Sequence, residues 1–167
     1  MIKTQRLIIQ PYNDNDEFDM IELLTNNTIK ENYIIPDFKT IEESSNYFKK
    51  LQMYSHSMHH YERGIYYNHQ LIGFVNDVDI IGSTIEIGYV IHPKYHNQGF
   101  ASEALKAIID DLFHQGYHKI LCCAFETNIP SFRVMEKCGM SKIDKTMVIE
   151  YQNRKQKCQY YSIEDKQ

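Results

Sequence analysis

The sequence has no tryptophan, few prolines and glycines, no long apolar run and no excess of basic residues. Its 18 Lys and Arg residues are outnumbered by 22 Asp and Glu residues, which gives a formal net charge of -4. This balance argues against broad, charge-driven binding of nucleic acid, because phosphate contacts require clustered basic side chains. A membrane-spanning helix would need an apolar run of about 18 residues, and the opening segment 1–11 is too charged for a signal peptide. We expect a cytoplasmic protein that binds neither nucleic acid nor a membrane.

The four cysteines form no C-x-x-C pair and no evident disulfide framework. Cys122 and Cys123 are adjacent, so in a strand their side chains point to opposite faces. We therefore expect reduced thiols in or near the core. His56, His59 and His60 lie close together, but their spacing, without a cysteine or a carboxylate cluster, is poor for a closed metal site. The sequence predicts surface histidines there and no metal.

The chain is predicted to form a single domain, residues 1–167, of the α+β (mixed α/β) class. It is long enough to bury a full core, and no repeat, low-complexity tract or Pro/Gly-rich linker divides it. Asn68-His69 is a candidate hairpin turn, and Thr40 is a candidate N-cap with Glu43 three residues on. Hydrophobic periodicity predicts strands at residues 3–10, 61–67, 70–77, 84–91, 119–125, 146–151 and 157–163, and helices at 17–25, 40–53, 100–113 and 129–137.

A strand, a loop and a long amphipathic helix follow one another between residues 84 and 113. Gly88 lies inside the strand, where a glycine often marks a bulge or a place where a ligand approaches the backbone. The helix begins after Gly99, and its N-terminus offers unpaired N–H groups and a positive dipole end that suit a phosphate or pyrophosphate. Gly99 allows a close approach, and Ala101 keeps side-chain bulk away. By themselves these residues fit an anion site or a plain connecting loop.

Four segments resemble one family of enzymes. The run His-Asn-Gln-Gly-Phe-Ala at 96–101 is similar to the Arg/Gln-x-x-Gly-x-Gly/Ala pyrophosphate loop of the GNAT N-acetyltransferases. Residues 128–140 resemble the second signature of that family, Asn-x-x-Ser/Ala followed by Glu-Lys-x-Gly-Phe. Residues 4–11 and 86–89 are similar to the RimJ/RimL-like branch, which acetylates the N-termini of ribosomal proteins. The ordered set extends over nearly the whole chain.

The resemblance implies a GNAT-like fold, a central twisted mixed sheet with splayed middle strands flanked by helices. Acetyl-CoA would be the acetyl donor, with its pantetheine arm between the splayed strands against the backbone of Tyr89, Val90 and Ile91. Asn128 and Ser131 would contact the far side of that arm near the thiol. The residues around the pyrophosphate would be Asn97, Gln98, Gly99, Phe100, Ala101 and Ser102.

The implied reaction is direct attack of a primary amine on the thioester, which requires a base because an ammonium cannot attack. Glu86 alternates with Gly88 and Val90 on one strand face, which we expect to face the donor. A partly buried carboxylate with a raised pKa would take the proton directly or through water. Alternatively, Glu86 binds a positively charged acceptor or makes a cross-strand pair.

A proton for the leaving thiolate needs a second group. Many relatives carry a tyrosine where this chain has Met135, and a methionine cannot donate a proton. Ser131 is the predicted substitute, because its hydroxyl can hydrogen-bond the developing thiolate. The alternative is that Ser131 only caps or lines its helix.

The predicted activity leaves the acceptor open. The resemblance favours a protein N-terminal amine, ribosomal-protein-like, over a small-molecule amine such as a polyamine or an aminoglycoside-type drug, and it allows a homodimer. A different class of function is a non-catalytic acyl-CoA-binding or regulatory module, which Met135 favours. A turnover assay with a mixed panel of amines separates the two classes.

Overall fold

The computed structural model describes residues 1–165 and contains eight strands and five α-helices in that part of the chain. The strands are β1 (Ile2–Lys3), β2 (Leu7–Gln10), β3 (Arg63–Tyr67), β4 (Gln70–Ile81), β5 (Thr84–Ile91), β6 (Lys119–Phe125), β7 (Ser141–Tyr151) and β8 (Arg154–Glu164). The helices are α1 (Glu17–Thr25), α2 (Asn27–Lys30), α3 (Ile41–Ser55), α4 (Phe100–His114) and α5 (Ile129–Lys137).

The strands form one sheet in the order β1-β2-β3-β4-β5-β6-β8-β7. Neighbouring strands are antiparallel except β5 and β6, which are parallel. A parallel pair needs a crossover connection, and α4 supplies it between the end of β5 and the start of β6. The sheet is therefore mixed and flanked by helices, which confirms the predicted fold class.

The two central strands separate along their length. The parallel pairing of β5 with β6 ends where Ile87 lies opposite Cys122. β5 then continues to Ile91 and β6 to Phe125, with no further pair between them in residues 1–165. The backbone edges of these last residues therefore face a gap, which we call the β5–β6 gap. It corresponds to the splay that the resemblance implied.

Two hydrophobic clusters pack on opposite faces of the sheet. One includes Leu105 of α4 and Met135 of α5, and the other includes Phe48 of α3. Strand β5 contributes to both because its side chains alternate, with Ile87 in the first cluster and Val90 in the second. We refer to these sides as the α4–α5 face and the α1–α3 face.

Several predicted boundaries are confirmed. Strands β5 and β6 and helix α5 have the predicted bounds. Asn68 and His69 form the hairpin turn between β3 and β4 with φ of 49° and 67°, the positive values that a two-residue hairpin favours. Thr40 caps α3, because its hydroxyl accepts a hydrogen bond from the Glu43 amide at 3.1 Å.

Other boundaries differ from the prediction. The strand predicted at 3–10 is interrupted at 4–6, where the chain bonds to α4 instead of a neighbouring strand. Strand β4 runs on to Ile81 through a register shift between Asp77 and Asp79, and β7 begins at Ser141. Irregular registers break the two-residue alternation from which strands are predicted. Helix α2 has four residues, too few to show a helical period.

Within residues 1–165, no helix is both long and apolar enough to cross a bilayer. The same residues contain no group of three or more His, Cys, Asp or Glu side chains that could hold a metal ion.

The histidines near residue 60 bond to neighbouring groups of the protein. His56 Nε2 donates to the Tyr12 carbonyl at 3.0 Å, and His60 Nδ1 donates to Asp77 at 3.1 Å. The four cysteines are unpaired thiols, and Cys122 and Cys158 are buried.

Candidate active site

The N-terminus of α4 lies at the loop where the sequence predicts an anion site. Gly99 is the N-cap residue and has a left-handed conformation, φ +82°, which favours glycine. Asn97 also has a positive φ, of 60°. No side chain in the described residues caps this 15-residue helix, so the N–H groups of its first turn are available to a ligand. Main-chain donors and the positive end of the helix dipole are therefore presented together.

Two side chains of this loop donate hydrogen bonds to main-chain carbonyls of residues that precede them in the sequence. His96 Nε2 donates to the Ile91 carbonyl at 2.7 Å, and Gln98 Nε2 donates to the Lys94 carbonyl at 3.0 Å. Phe100 is buried in the core beneath the loop. His96, at the first position of the loop motif, therefore fixes the loop to the end of β5. The main-chain amides of the loop remain for a ligand.

Segment 4–6 braces the same loop. Arg6 Nη1 donates to the Gln98 carbonyl at 2.9 Å, and its Nε pairs with Glu103 at 2.7 Å. The guanidinium carbon lies 4.2 Å from the ring centroid of Phe100. Burial alone would raise the pKa of Glu103, but hydrogen bonds from Thr4 and Arg6 and the Arg6 charge bring it below the usual value. The opening motif pointed to a family likeness and gave no sign of this contact.

The backbone groups of β5 divide between β4 and the β5–β6 gap. The His92 amide donates to the Ile72 carbonyl of β4 at 2.7 Å. By the alternation of an antiparallel ladder, Val90 also pairs with β4. Tyr89 and Ile91 then turn their N–H and C=O groups toward the gap, where the Ile91 carbonyl already accepts from His96. Two of the three predicted pantetheine contacts thus present main-chain groups there, while those of Val90 face β4.

The first turn of α5 lies beside Tyr89 on the α4–α5 face. Asn128 is the N-cap of α5, and its Oδ1 accepts from the Ser131 amide at 3.2 Å. The Tyr89 hydroxyl lies 3.0 Å from Ser131 Oγ and donates to the Ser131 carbonyl at 3.3 Å. Burial raises the pKa of Tyr89, which keeps its hydroxyl protonated. Met135 is 1% exposed in the core. The structure therefore brings a tyrosine hydroxyl to Ser131 from β5.

A cleft of about 410 Å³ opens on the α1–α3 face beside the β5–β6 gap. Its walls contain three carboxylates and several aromatic rings, and among residues 1–165 no lysine or arginine lines it. Such a lining suits a cationic amine. The residues that line it include Tyr33, Tyr47, Glu62, Phe74, Asp77, Glu86, Gly88, Cys123 and Phe125.

Gly88 leaves room for Tyr33. A Cβ atom at Gly88 would lie 2.2 Å from the Tyr33 hydroxyl oxygen, so a larger residue would displace that ring. The Tyr33 hydroxyl donates to Asn76 Oδ1 on the adjacent strand. The bulge that the glycine predicted lies instead in β4, between Asp77 and Asp79. A close approach at Gly88 does occur, and a side chain of the protein makes it.

Glu86 lines the cleft on the α1–α3 face, whereas α4 and its loop pack on the other face. This placement differs from the expected donor-side face, because alternation groups side chains on one face without indicating which layer covers them. Its cross-strand neighbours are Asp79 and Leu121, so no cation stands directly opposite it. Burial raises the pKa of Glu86, and nearby Lys145 and the Tyr160 hydroxyl offset part of the rise.

Glu62 is a carboxylate of the cleft that no sequence pattern singled out. It is 3% exposed, and its Oε1 accepts a hydrogen bond from the Tyr12 hydroxyl. Burial raises the pKa of Glu62 to about 8 despite that bond. A signal was present in the sequence: a strand at 61–67 places Glu62 on one face with Gly64 and Tyr66, where a charge is unusual.

Comparison with known sequences gives a consistent result. The profile described as the acetyltransferase (GNAT) domain matches residues 6–141, more than half of the chain. The uncharacterized N-acetyltransferase YnaD of Bacillus subtilis is 43% identical over 74 residues, which are 43% of this chain and 44% of YnaD. The alignment with YnaD thus spans less than half of that relative. The uncharacterized N-acetyltransferase YoaA of the same organism is 25% identical over 162 residues, 92% of this chain and 89% of YoaA.

Solved structures share the fold. An acetyltransferase of the GNAT family from Bacillus anthracis has a TM-score of 0.83 at 29% identity, covering 98% of this chain and 97% of that one. RimL, a ribosomal L7/L12 alpha-N-protein acetyltransferase in complex with coenzyme A, has a TM-score of 0.82 at 13% identity, over 96% and 95% of the chains. Spermidine N-acetyltransferase from Vibrio cholerae, in complex with CoA and spermine, has a TM-score of 0.80 at 20% identity, covering 96% of this chain and 96% of that one. The last two comparisons support the fold alone.

Proposed function

The chain belongs to the GNAT acetyltransferase family, which uses acetyl-CoA as the donor, and we propose that it acetylates a primary amine bound in the cleft beside Glu86. One observation carries the proposal. The unpaired main-chain groups of Tyr89 lie at the β5–β6 gap, the Tyr89–Ser131 pair lies on the α4–α5 face beside it, and the acidic cleft opens on the α1–α3 face. A thioester held in that gap is within reach of an amine in the cleft.

We assign the donor to the α4–α5 face. The pyrophosphate would accept N–H groups of the loop at 97–102, where the left-handed Gly99 and the uncapped helix end leave room for it. The pantetheine amides would pair with the main-chain groups of Tyr89 and with the Ile91 amide across the gap, since the Ile91 carbonyl accepts from His96. Asn128 would contact the arm near the thiol. The Arg6–Glu103 ion pair would hold the loop in place.

In the proposed reaction the amine nitrogen bonds to the carbonyl carbon of the thioester as the carbon–sulfur bond breaks. The proton of the amine passes to Glu86, directly or through one water molecule. A carboxylate whose pKa is raised by burial is better matched to an amine than an exposed one. The leaving thiolate takes a proton from the Tyr89–Ser131 pair, which solvent then reprotonates.

Tyr89 is the better proton source of that pair. A phenol is ordinarily a stronger acid than a serine hydroxyl, and burial raises the pKa of Tyr89, so its hydroxyl stays protonated until the thiolate forms beside it. Ser131 Oγ lies 3.0 Å from the phenol oxygen and would hold it toward the sulfur. On this assignment β5 supplies the hydroxyl that Met135 cannot.

We expect Tyr89→Phe to lower kcat about 100-fold, because general acid catalysis contributes at least that much. Ser131→Ala should lower kcat about tenfold, since it removes one positioning hydrogen bond. Neither change should alter the affinity for CoA measured by calorimetry. A Ser131→Ala loss above 100-fold would make the serine the acid, and a loss confined to CoA affinity would make it a binding residue. If neither variant changes kcat or CoA affinity, the thiolate takes its proton from water.

Two acceptor classes are supported by different observations. The likeness of residues 4–11 and 86–89 to the RimJ/RimL-like branch supports a protein N-terminal amine. The acidic cleft without lysine or arginine supports a small cationic amine. A cytoplasmic location and a homodimer stay predictions from the resemblance.

The test of the function is the release of free thiol from acetyl-CoA with a panel of peptides, diamines and aminoglycosides. We expect thiol release that depends on one class of amine and yields the acetylated product by mass. CoA binding without release for any amine would contradict the enzyme assignment and support a non-catalytic acyl-CoA-binding or regulatory module.

A further inference from the structure

We propose that Glu62 is a specificity-determining residue, which binds the second ammonium group of a small aliphatic diamine whose first amine is acetylated beside Glu86. This inference rests on the proposed acetyl transfer and adds the substrate class. It is carried by the positions of the two carboxylates in the cleft, the free oxygen of Glu62 and the composition of the wall between them.

The sheet register places the two carboxylates on one face at a fixed separation. The Asp77 amide donates to the Tyr61 carbonyl at 2.9 Å, and Arg63 pairs with Val75, so Glu62 lies opposite Asn76. Asn76 in turn lies opposite Gly88 of β5.

Two strand spacings, about 10 Å, therefore separate Glu62 from the position of Gly88. Glu86 is two residues, about 7 Å, further along β5. The Cα atoms of Glu62 and Glu86 are thus about 12 Å apart by this geometry. Both residues line the same cleft, so one extended molecule can contact both.

One oxygen of Glu62 is open to the cleft. Its Oε1 accepts the Tyr12 hydroxyl, and Oε2 has no hydrogen-bond partner among residues 1–165. No polar side-chain atom in that part of the chain is both sealed from solvent and unpaired. The Oε2 atom is therefore in contact with solvent, and Glu62 lines the cleft. A carboxylate buried to this degree is strongly stabilised by a cationic partner.

The wall around the two carboxylates favours an aliphatic dication. Tyr33, Tyr47 and Phe74 line the cleft, and aromatic rings attract an ammonium and pack against its methylenes. Among residues 1–165 no lysine or arginine lines the cleft, although Arg63 and Lys145 are near enough to lower the pKa of Glu62 and of Glu86, respectively. A simple peptide N-terminus carries its cation at the reacting amine and would leave Glu62 without a partner.

The experiment compares diamines with monoamines of matched length, from diaminopropane to diaminooctane, on the wild type and Glu62→Gln. Gln keeps the acceptor for Tyr12 and removes the charge. We expect the kcat/KM of diamines to exceed that of matched monoamines about 10- to 100-fold, because the free energy of a hydrogen bond to a charged group corresponds to a factor of that size. The Gln variant should lose this advantage while its kcat/KM for monoamines is unchanged. Glu150→Gln, an exposed carboxylate on β7 outside the cleft lining, is the matched control.

The outcomes separate this inference from the proposed function. Monoamines acetylated as well as diamines, or a diamine preference that survives Glu62→Gln, would overturn the inference and leave acetyl transfer standing. Absence of transfer to every amine would instead overturn the proposed function. A peptide with a lysine near its N-terminus that exceeds every diamine would overturn the small-molecule assignment. Calorimetric CoA affinity of the Gln variant, expected to be unchanged, shows that it is folded.

Discussion

Gly99→Glu should abolish measurable binding of acetyl-CoA. The glycine has φ +82°, so any other residue is strained there, and the new carboxylate would stand where we place the pyrophosphate. Two unit charges 4 Å apart near a protein surface repel by about 4 kcal/mol, which corresponds to a loss of about a thousandfold in affinity. Isothermal titration calorimetry with CoA measures this directly.

Two further variants separate the causes. Gly116→Glu places the same residue at another left-handed glycine, φ +92°, beyond the opposite end of α4, and should leave CoA affinity unchanged. Gly99→Ala introduces the backbone strain without the charge, and its Cβ would meet only Arg6 Nη2, at 3.4 Å. We expect Gly99→Ala to bind CoA more weakly than wild type and far better than Gly99→Glu. Unchanged affinity in Gly99→Glu would show that the pyrophosphate binds elsewhere.

Glu86→Gln should lower kcat about 100- to 10,000-fold toward the acidic end of the pH range, at pH values where Glu86 of the wild type is still ionised. A protonated amine there depends on the enzyme for its deprotonation, whereas at high pH the free amine is already abundant. The rates of the two proteins should therefore converge as pH rises. In the wild type, kcat should fall as pH decreases through the pKa of Glu86, which burial raises above the ordinary carboxyl value. The pH–rate profile of kcat with a saturating amine is the measurement.

Folding and charge need separate controls in this experiment. Because the folded chain holds the Glu86 proton more tightly than the unfolded chain, the stability from the protonated form is present at low pH and lost as pH rises through the raised pKa. The Gln variant should thus unfold at the same or a higher temperature at neutral pH. Asp79→Asn removes a charge directly opposite that raises the pKa of Glu86, so the fall in kcat should move to lower pH without being lost. If the pH–rate profile of Glu86→Gln were the same as that of the wild type, water or a backbone carbonyl would be the base.

The fold was predictable where local chemistry and tertiary packing agree. The strand at Thr84–Ile91, the strand at Lys119–Phe125 and the helix at Ile129–Lys137 have the bounds that periodicity predicted. The two strands bury a regular apolar pattern, whereas the helix buries only Met135, and turn residues delimit each. The prediction was wrong at 4–6, where hydrogen bonds to Glu103 replace a strand ladder, and the partner is nearly a hundred residues away in sequence.

By itself, the sequence determined the class of fold and predicted the loop and the residues that we assign to the donor. A glycine before an amphipathic helix predicts a possible anion site in any fold, because the unpaired amides of a helix N-terminus are a local property of the chain. Only the tertiary structure decided what lies across the sheet. The register of β3, β4 and β5 joins Glu62 and Glu86 in one cleft, and the alternation of β5 brings the Tyr89 hydroxyl to Ser131. Side chains from distant strands meet only after pairing fixes their register, and register depends on contacts that no local pattern specifies.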